Sequence, residues 1–256
     1  MLQAHSPLWH YLWVAPNILF LVLALLLWQR NLAREFPAFF AFAIFGSLGQ
    51  LAVYTADVVP SITAEMFWRI DWVNLFLEGI LKFAVVAEIF AHVFGSYTSI
   101  AKIGKSLIRA SGVLLVLAAA IAAGMSPHDS RFGIVSGAHH LEQTIYFIES
   151  GLLVSILCIA SYFHLSFGRQ LFGITLGLGT SACVHLATWA LIANGGFSDQ
   201  TRYDLDFLNM ATYHVCVLLW FYFLLLPHKV ATKSAVSVPE HNLEVWNREM
   251  ERLLHS

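Results

Sequence analysis

The run LWHYLWVAPNILFLVLALLLW, residues 8–28, decides the fold class. It carries no Lys, Arg, Asp or Glu over 21 consecutive residues. At about 1.5 Å of rise per residue, roughly 20 apolar residues cross the roughly 30 Å of hydrocarbon in a bilayer. The run therefore reads as a membrane-spanning helix. Trp9, Tyr11 and Trp13 stand near its start, where amphipathic rings sit at the headgroup level. Met1 to His10 holds no Lys or Arg. A secretory leader needs a basic first region, so this segment reads as part of a retained first helix.

The rest of the chain repeats the signal. Of its 256 residues, 58% are hydrophobic and 12% charged, with a mean hydropathy of +0.69. Soluble domains carry about 25% charged residues, so lipid is the expected solvent. Further spans are expected near residues 37–59, 66–94, 107–124, 138–166, 170–194 and 205–227. Pro37, Pro60-Ser61, Gly168, Gly195-Gly196 and Pro227 supply the breaks between them. The third span is the most polar of the seven. The expected fold is all-α, a polytopic seven-transmembrane helix bundle over residues 1–227, followed by a tail over 228–256.

Lys and Arg orient it. One side collects Arg30, Arg34, Lys102, Lys105, Arg109, Arg169, Lys229, Lys233, Arg248 and Arg252, and the other only Arg69, Arg131 and Arg202. Basic loops stay cytoplasmic. This predicts an outside N-terminus, a cytoplasmic C-terminus and a plasma (inner) membrane location. The outer side is acidic instead, with Asp57, Glu65, Asp129, Asp199, Asp204 and Asp206.

Polar groups within spans are costly and mark function or pairing. In the third span Asp71, Asn74, Glu78 and Lys82 fall on one stripe at about 100° per residue. Glu78 and Lys82 have the i, i+4 order that favours an ion pair, and on its own this pair fits a packing role as well as a functional one. The fifth span adds His139, Glu142, Gln143, Tyr146, Glu149 and Ser150, the sixth His185, and the seventh Asp206, Asn209, Tyr213 and His214. Gly173, Gly177, Ser181 and His185 recur every four residues, a spacing that lets helices approach closely. The expected ligand-binding or proton-relay centre is Glu78, Lys82, Tyr146, Glu149, His185, Asn209 and His214. It converges from several helices and is reached from the acidic outer side.

Twelve His raise the question of a cofactor. Two imidazoles at one depth would be needed for haem, with His185 and His214 or His92 and His164 as the pairs available. No HExxH or CxxC signature for zinc is present, and Cys158, Cys183 and Cys216 lie within apolar runs. No cofactor and no catalytic residue is assigned, and the reading is non-enzymatic. A net charge of −2 argues against a nucleic-acid partner.

Ser181-Ala-Cys-Val-His185 resembles the Ser-x-x-x-His element of the seven-helix membrane hydrolases that include alkaline ceramidases and adiponectin-receptor relatives. That family also carries an HxxxH pair in its last helix, where this chain has His214 alone, so the activity does not transfer. Retinal proteins need a Lys in the last helix, and Leu205 to Leu226 holds none.

In the tail, Ser237 and Glu240 form a capping-box pattern ahead of an amphipathic helix expected over 238–254. Leu243, Trp246, Met250 and Leu253 share its apolar face, opposite Glu240, Glu244, Glu249 and Glu251. Membrane-surface helices are usually basic, so this face is expected to bind a cytoplasmic protein or a second copy of the chain. Packing on the bundle's own cytoplasmic face is the alternative use. The functional expectation is a sensor or receptor-like protein. A proton- or cation-coupled transporter and a haem- or metal-bearing membrane subunit are the alternatives.

Overall fold

A computed structural model describes residues 5–95, 131–162, 168–194 and 199–226, with isolated positions between 106 and 117. In α5, side chains are described from Leu141 onward. The elements are α1 (Pro7–Gln29), α2 (Leu32–Glu35), α3 (Pro37–Val58), α4 (Ala64–Phe94), α5 (Arg131–Tyr162), α6 (Arg169–Asn194) and α7 (Asp199–Leu225). No strand occurs among the described residues. Among the described residues, five helices are long and apolar enough to cross a membrane: α1, α3, α6 through Ile192, the Leu141–Tyr162 part of α5 and the Gln200–Leu225 part of α7. The chain is therefore a multi-pass integral membrane protein.

Helix ends follow local chemistry. Ser6 caps α1, accepting from the Trp9 N–H at 3.3 Å, with Pro7 in the first turn. Within α1, Pro16 has no N–H to give the Leu12 carbonyl. The next residue, buried Asn17, turns its side-chain amide back onto the Trp13 carbonyl at 2.7 Å. Asn31 takes the left-handed conformation (φ 60°) that turns the chain into α2, a conformation Asn tolerates better than most residues. At the other terminus Arg169 donates to the carbonyls of Tyr222 and Leu226 (3.0 Å each), and Arg30 donates to that of Leu225. Two cations thus cap the last turn of α7, where carbonyls have no helical partner.

Two boundaries differ from the sequence expectation. The fifth helix begins at Arg131 rather than 138, and the seventh at Asp199 rather than 205. Hydropathy reports where lipid begins, whereas helicity continues through polar turns that hold their own contacts. Gln200, for example, donates to Asp204 one turn later at 3.1 Å. The expected fourth span, 107–124, falls mainly outside the described residues, and the tail helix over 238–254 falls wholly outside them.

Among the described residues, the six long helices pack in a ring in the order α1, α3, α4, α5, α6, α7 and back to α1. Contacts give the directions. His10 meets Tyr54 while Phe20 meets Phe39, so α1 and α3 are antiparallel. Gln50 meets Glu78 while Ala38 meets Glu88, so α3 and α4 are antiparallel. Gly173 lies against Phe223 and Thr188 against Asn209, so α6 and α7 are antiparallel as well. Tyr146 meets His185 and Leu153 lies beside Gly179, which sets α5 against α6. Asn17 meets Tyr213 and Arg30 meets Leu225, so α1 and α7 run parallel. It follows that α4 and α5 also run parallel. Below, the near end is the one at which α1 begins.

The helices face lipid with apolar side chains and turn polar ones inward. On α4, Val73, Leu77 and Ile80 are exposed, whereas Asn74 and Lys82 are buried. The stretch of α4 that holds Glu78, Lys82 and Glu88 keeps this 31-residue helix outside the five apolar spans, and of these Glu78 and Lys82 turn into the ring. Toward the far end the ring is filled by aromatic packing. Phe20 stacks on Trp220 (ring centroids 4.8 Å apart), with Phe39 and Phe42 edge-on to the same indole, and all four are buried.

Glu88 has a structural task that its sequence position does not announce. The N–H groups of Ala38 and Phe39 donate to its two carboxylate oxygens at 2.9 and 3.0 Å. A carboxylate from α4 thereby caps the start of α3, whose own N-cap residue, Phe36, has no side-chain acceptor. Glu88→Ala should cost about 1–2 kcal/mol in unfolding experiments on purified protein in detergent, with Glu88→Gln losing less because one oxygen remains. Equal stability of all three proteins would show that water or another group caps α3 instead.

Candidate functional site

All six long helices contribute to one cavity of about 380 Å³ inside the ring. That is a typical size for a small-molecule site. Trp9 and Phe67, in the first turns of α1 and α4, and exposed Asp206 on α7 mark its rim at the near end. Phe42 and Trp220 close it below.

The wall carries the polar stripe of α4. Asp71, Asn74, Glu78 and Lys82 all line the cavity. Lys82 Nζ lies 2.9 Å from Glu78 Oε1, and Gln50 of α3 donates to Glu78 Oε2 at 2.9 Å. The same ammonium sits over the Tyr146 ring, 4.2 Å from its centroid, and 3.9 Å from Glu149 Oε2. Tyr146 in turn stacks on His185 at 4.3 Å between centroids. His185 Nδ1 lies 2.9 Å from the Ser181 carbonyl, so Nδ1 carries a proton and donates to it. Thr188 Oγ1 lies 2.8 Å from the His185 carbonyl and 3.1 Å from Asn209 Oδ1, so its one proton is shared between the two acceptors.

The residues expected from the sequence divide into two groups. Glu78, Lys82, Tyr146, His185 and Asn209 lie on the cavity wall. Glu149 stands outside the wall, behind Lys82. It is 1% exposed, and neither carboxylate oxygen has a hydrogen-bond partner, the 3.9 Å approach of Lys82 being its ion-pair contact. His214 also lies outside the wall. It packs against Tyr11 of α1 (5.7 Å between centroids), with its Nδ1 buried and without a hydrogen bond.

Two polar wall residues belong to no stripe named from the sequence. Gln50 holds the free oxygen of Glu78, and Asn17 accepts from the Tyr213 hydroxyl at 3.4 Å. Each is an amide inside an otherwise apolar span, and that isolation is the signal that identifies them. Trp13 and Trp68 complete the aromatic part of the wall.

Of the four imidazoles weighed for haem, three lie among the described residues. His185 is on the wall and His214 is not. His92 stacks on Phe36 and shares a hydrogen bond with the Glu88 carbonyl, while His164 lies outside the described residues. Among the described residues no three His, Cys, Asp or Glu side chains gather to hold a metal. Leu243, Trp246, Met250 and Leu253 of the tail lie outside the described residues.

What the arrangement can do is hold a small polar molecule between aromatic faces and carboxylates, with one internal ammonium as counter-charge. No family model, curated protein or solved structure matches the chain.

Proposed function

We propose that this chain is a seven-helix receptor-like protein of the plasma membrane, with its N-terminus outside and its C-terminus in the cytoplasm. Its cavity takes a small ligand from the outer side, and the amphipathic helix over 238–254 passes the event to a cytoplasmic partner. The observation carrying the reading is the cavity itself, polar on its wall, reaching the near rim and backed toward the far end by the Phe20, Phe39, Phe42 and Trp220 cluster.

The count of seven takes support from chain direction. With α4 and α5 parallel, a return crossing by the expected fourth span joins them, and α4 serves as the third span with its charges turned inward. The orientation takes support from Arg30 and Arg169, both at the far end beside the close of α7.

A transporter is the second reading, and Glu149 is the observation that favours it. A buried carboxylate behind Lys82, without hydrogen bonds, is where a relay would continue past the cavity. The two readings differ in access. Asn209→Cys, in a chain with Cys158, Cys183 and Cys216 replaced by Ala, should react with a membrane-impermeant thiol reagent from the outer face only. Comparable labelling from both faces would favour alternating access and count against the receptor.

A further inference from the structure

We propose that the ligand of this cavity is a small organic monocation, an amine or quaternary ammonium, which takes the place of Lys82 on Glu78 while Lys82 passes to Glu149. This rests on the cavity being a ligand site, and it adds the chemical class and the exchange by which binding is registered.

Charge is the first argument. Glu78 and Lys82 both line the cavity, the carboxylate beside the ammonium. Deeper in, the ammonium of Lys82 stands between two carboxylates, 2.9 Å from Glu78 and 3.9 Å from Glu149. One ammonium for two carboxylates leaves the trio formally one positive charge short, in a place where unpaired charge is costly. Glu149 is the less satisfied of the two: it is buried, and both of its oxygens are without a hydrogen bond.

Shape is the second argument. Trp9, Trp13, Trp68 and Tyr213 line the same space. Ring faces attract cations, and aromatic cages are a recurring answer to quaternary ammonium groups. Such walls and a volume of about 380 Å³ suit an organic ion better than a bare metal ion.

Exchange is the third. Glu78 faces the cavity and Glu149 does not, so an incoming cation reaches Glu78 first. A displaced Lys82 already has its next partner within 3.9 Å. Lys82 also sits over Tyr146, which stacks on His185, so its movement is felt on α5 and α6.

The test uses the full chain in nanodiscs, titrated with benzyltrimethylammonium, benzyl alcohol and benzenesulfonate. Tryptophan fluorescence and unfolding temperature are the readouts. The expected result is saturable binding of the cation, weakened about tenfold or more in Glu78→Gln, as for loss of a charged contact. In Lys82→Met, which removes the internal competitor, the cation should bind more tightly and raise the unfolding temperature by more than it does in the wild type. The comparison of the cation with the alcohol and the sulfonate in the wild type stands even if neither variant folds. Equal cation binding in wild type and both variants overturns the seat on Glu78. Saturable binding of the alcohol or the sulfonate without the cation overturns the ligand class and leaves the receptor reading standing. Binding of none of the three also overturns the class, and labelling of Asn209→Cys then reports separately whether the cavity is open to the outer side.

Discussion

Replacing Lys82 with Met should lower the unfolding free energy by about 3–5 kcal/mol, the largest loss expected from a single change in this chain. The substitution leaves Glu78 and Glu149 facing each other's neighbourhood with no cation between them. Glu78→Gln should cost less. Lys82 then keeps Glu149, and Gln50 still has an amide oxygen to bond. The double variant should recover about 1–3 kcal/mol relative to the sum of the single losses, because the two groups are in contact. Unfolding in mixed micelles, followed by helical circular dichroism, measures all four corners of the cycle. Additivity within about 0.5 kcal/mol would mean that both side chains are solvated independently and that the ion pair contributes nothing.

The second large effect belongs to the seam between α6 and α7. A Cβ at Gly177 would overlap the indole of Trp220, and one at Gly173 would overlap Phe223. Trp220 has little room to yield, since it is 1% exposed and packed on Phe20, Phe39 and Phe42. Gly177→Val should therefore cost at least about 1–3 kcal/mol, the usual penalty for overpacking, and open the bottom of the cavity by shifting the indole. Gly151→Ala is the matched control. Nothing lies within 4 Å of a Cβ there, and Ala is a better helix former than Gly by about 1 kcal/mol. Trp220→Leu should restore part of the loss in the Gly177→Val background by making room. If Gly177→Val unfolded at the same temperature as the wild type, the two helices would be farther apart than this seam requires.

Sequence periodicity and tertiary contact inform different parts of the site. The α4 stripe is legible in advance because helical geometry alone puts Asp71, Asn74, Glu78 and Lys82 on one face, whatever lies opposite. The same holds for Asp206, Asn209 and Tyr213 on α7. His214 shows the limit. It lies one residue from Tyr213, yet that rotation of about 100° turns it from the cavity to Tyr11. Glu88 shows another. Helical periodicity leaves it off the polar stripe of α4, and its partners are the backbone N–H groups of α3, far away in sequence.

The sequence by itself determined the solvent and the all-helical, multi-pass class. Long uncharged runs are sufficient to place helices in lipid, because every backbone polar group must be satisfied within the segment. It also determined which groups on each helix are too costly to face that lipid. Only the tertiary structure decided which helices are neighbours, and with that, which polar stripes meet. Helix order in a ring is set by packing between surfaces distant in sequence, as at Gly49 against Asn74 and Gly177 against Trp220. The cavity, the sharing of Lys82 between two carboxylates and the aromatic floor therefore exist only once the ring is closed.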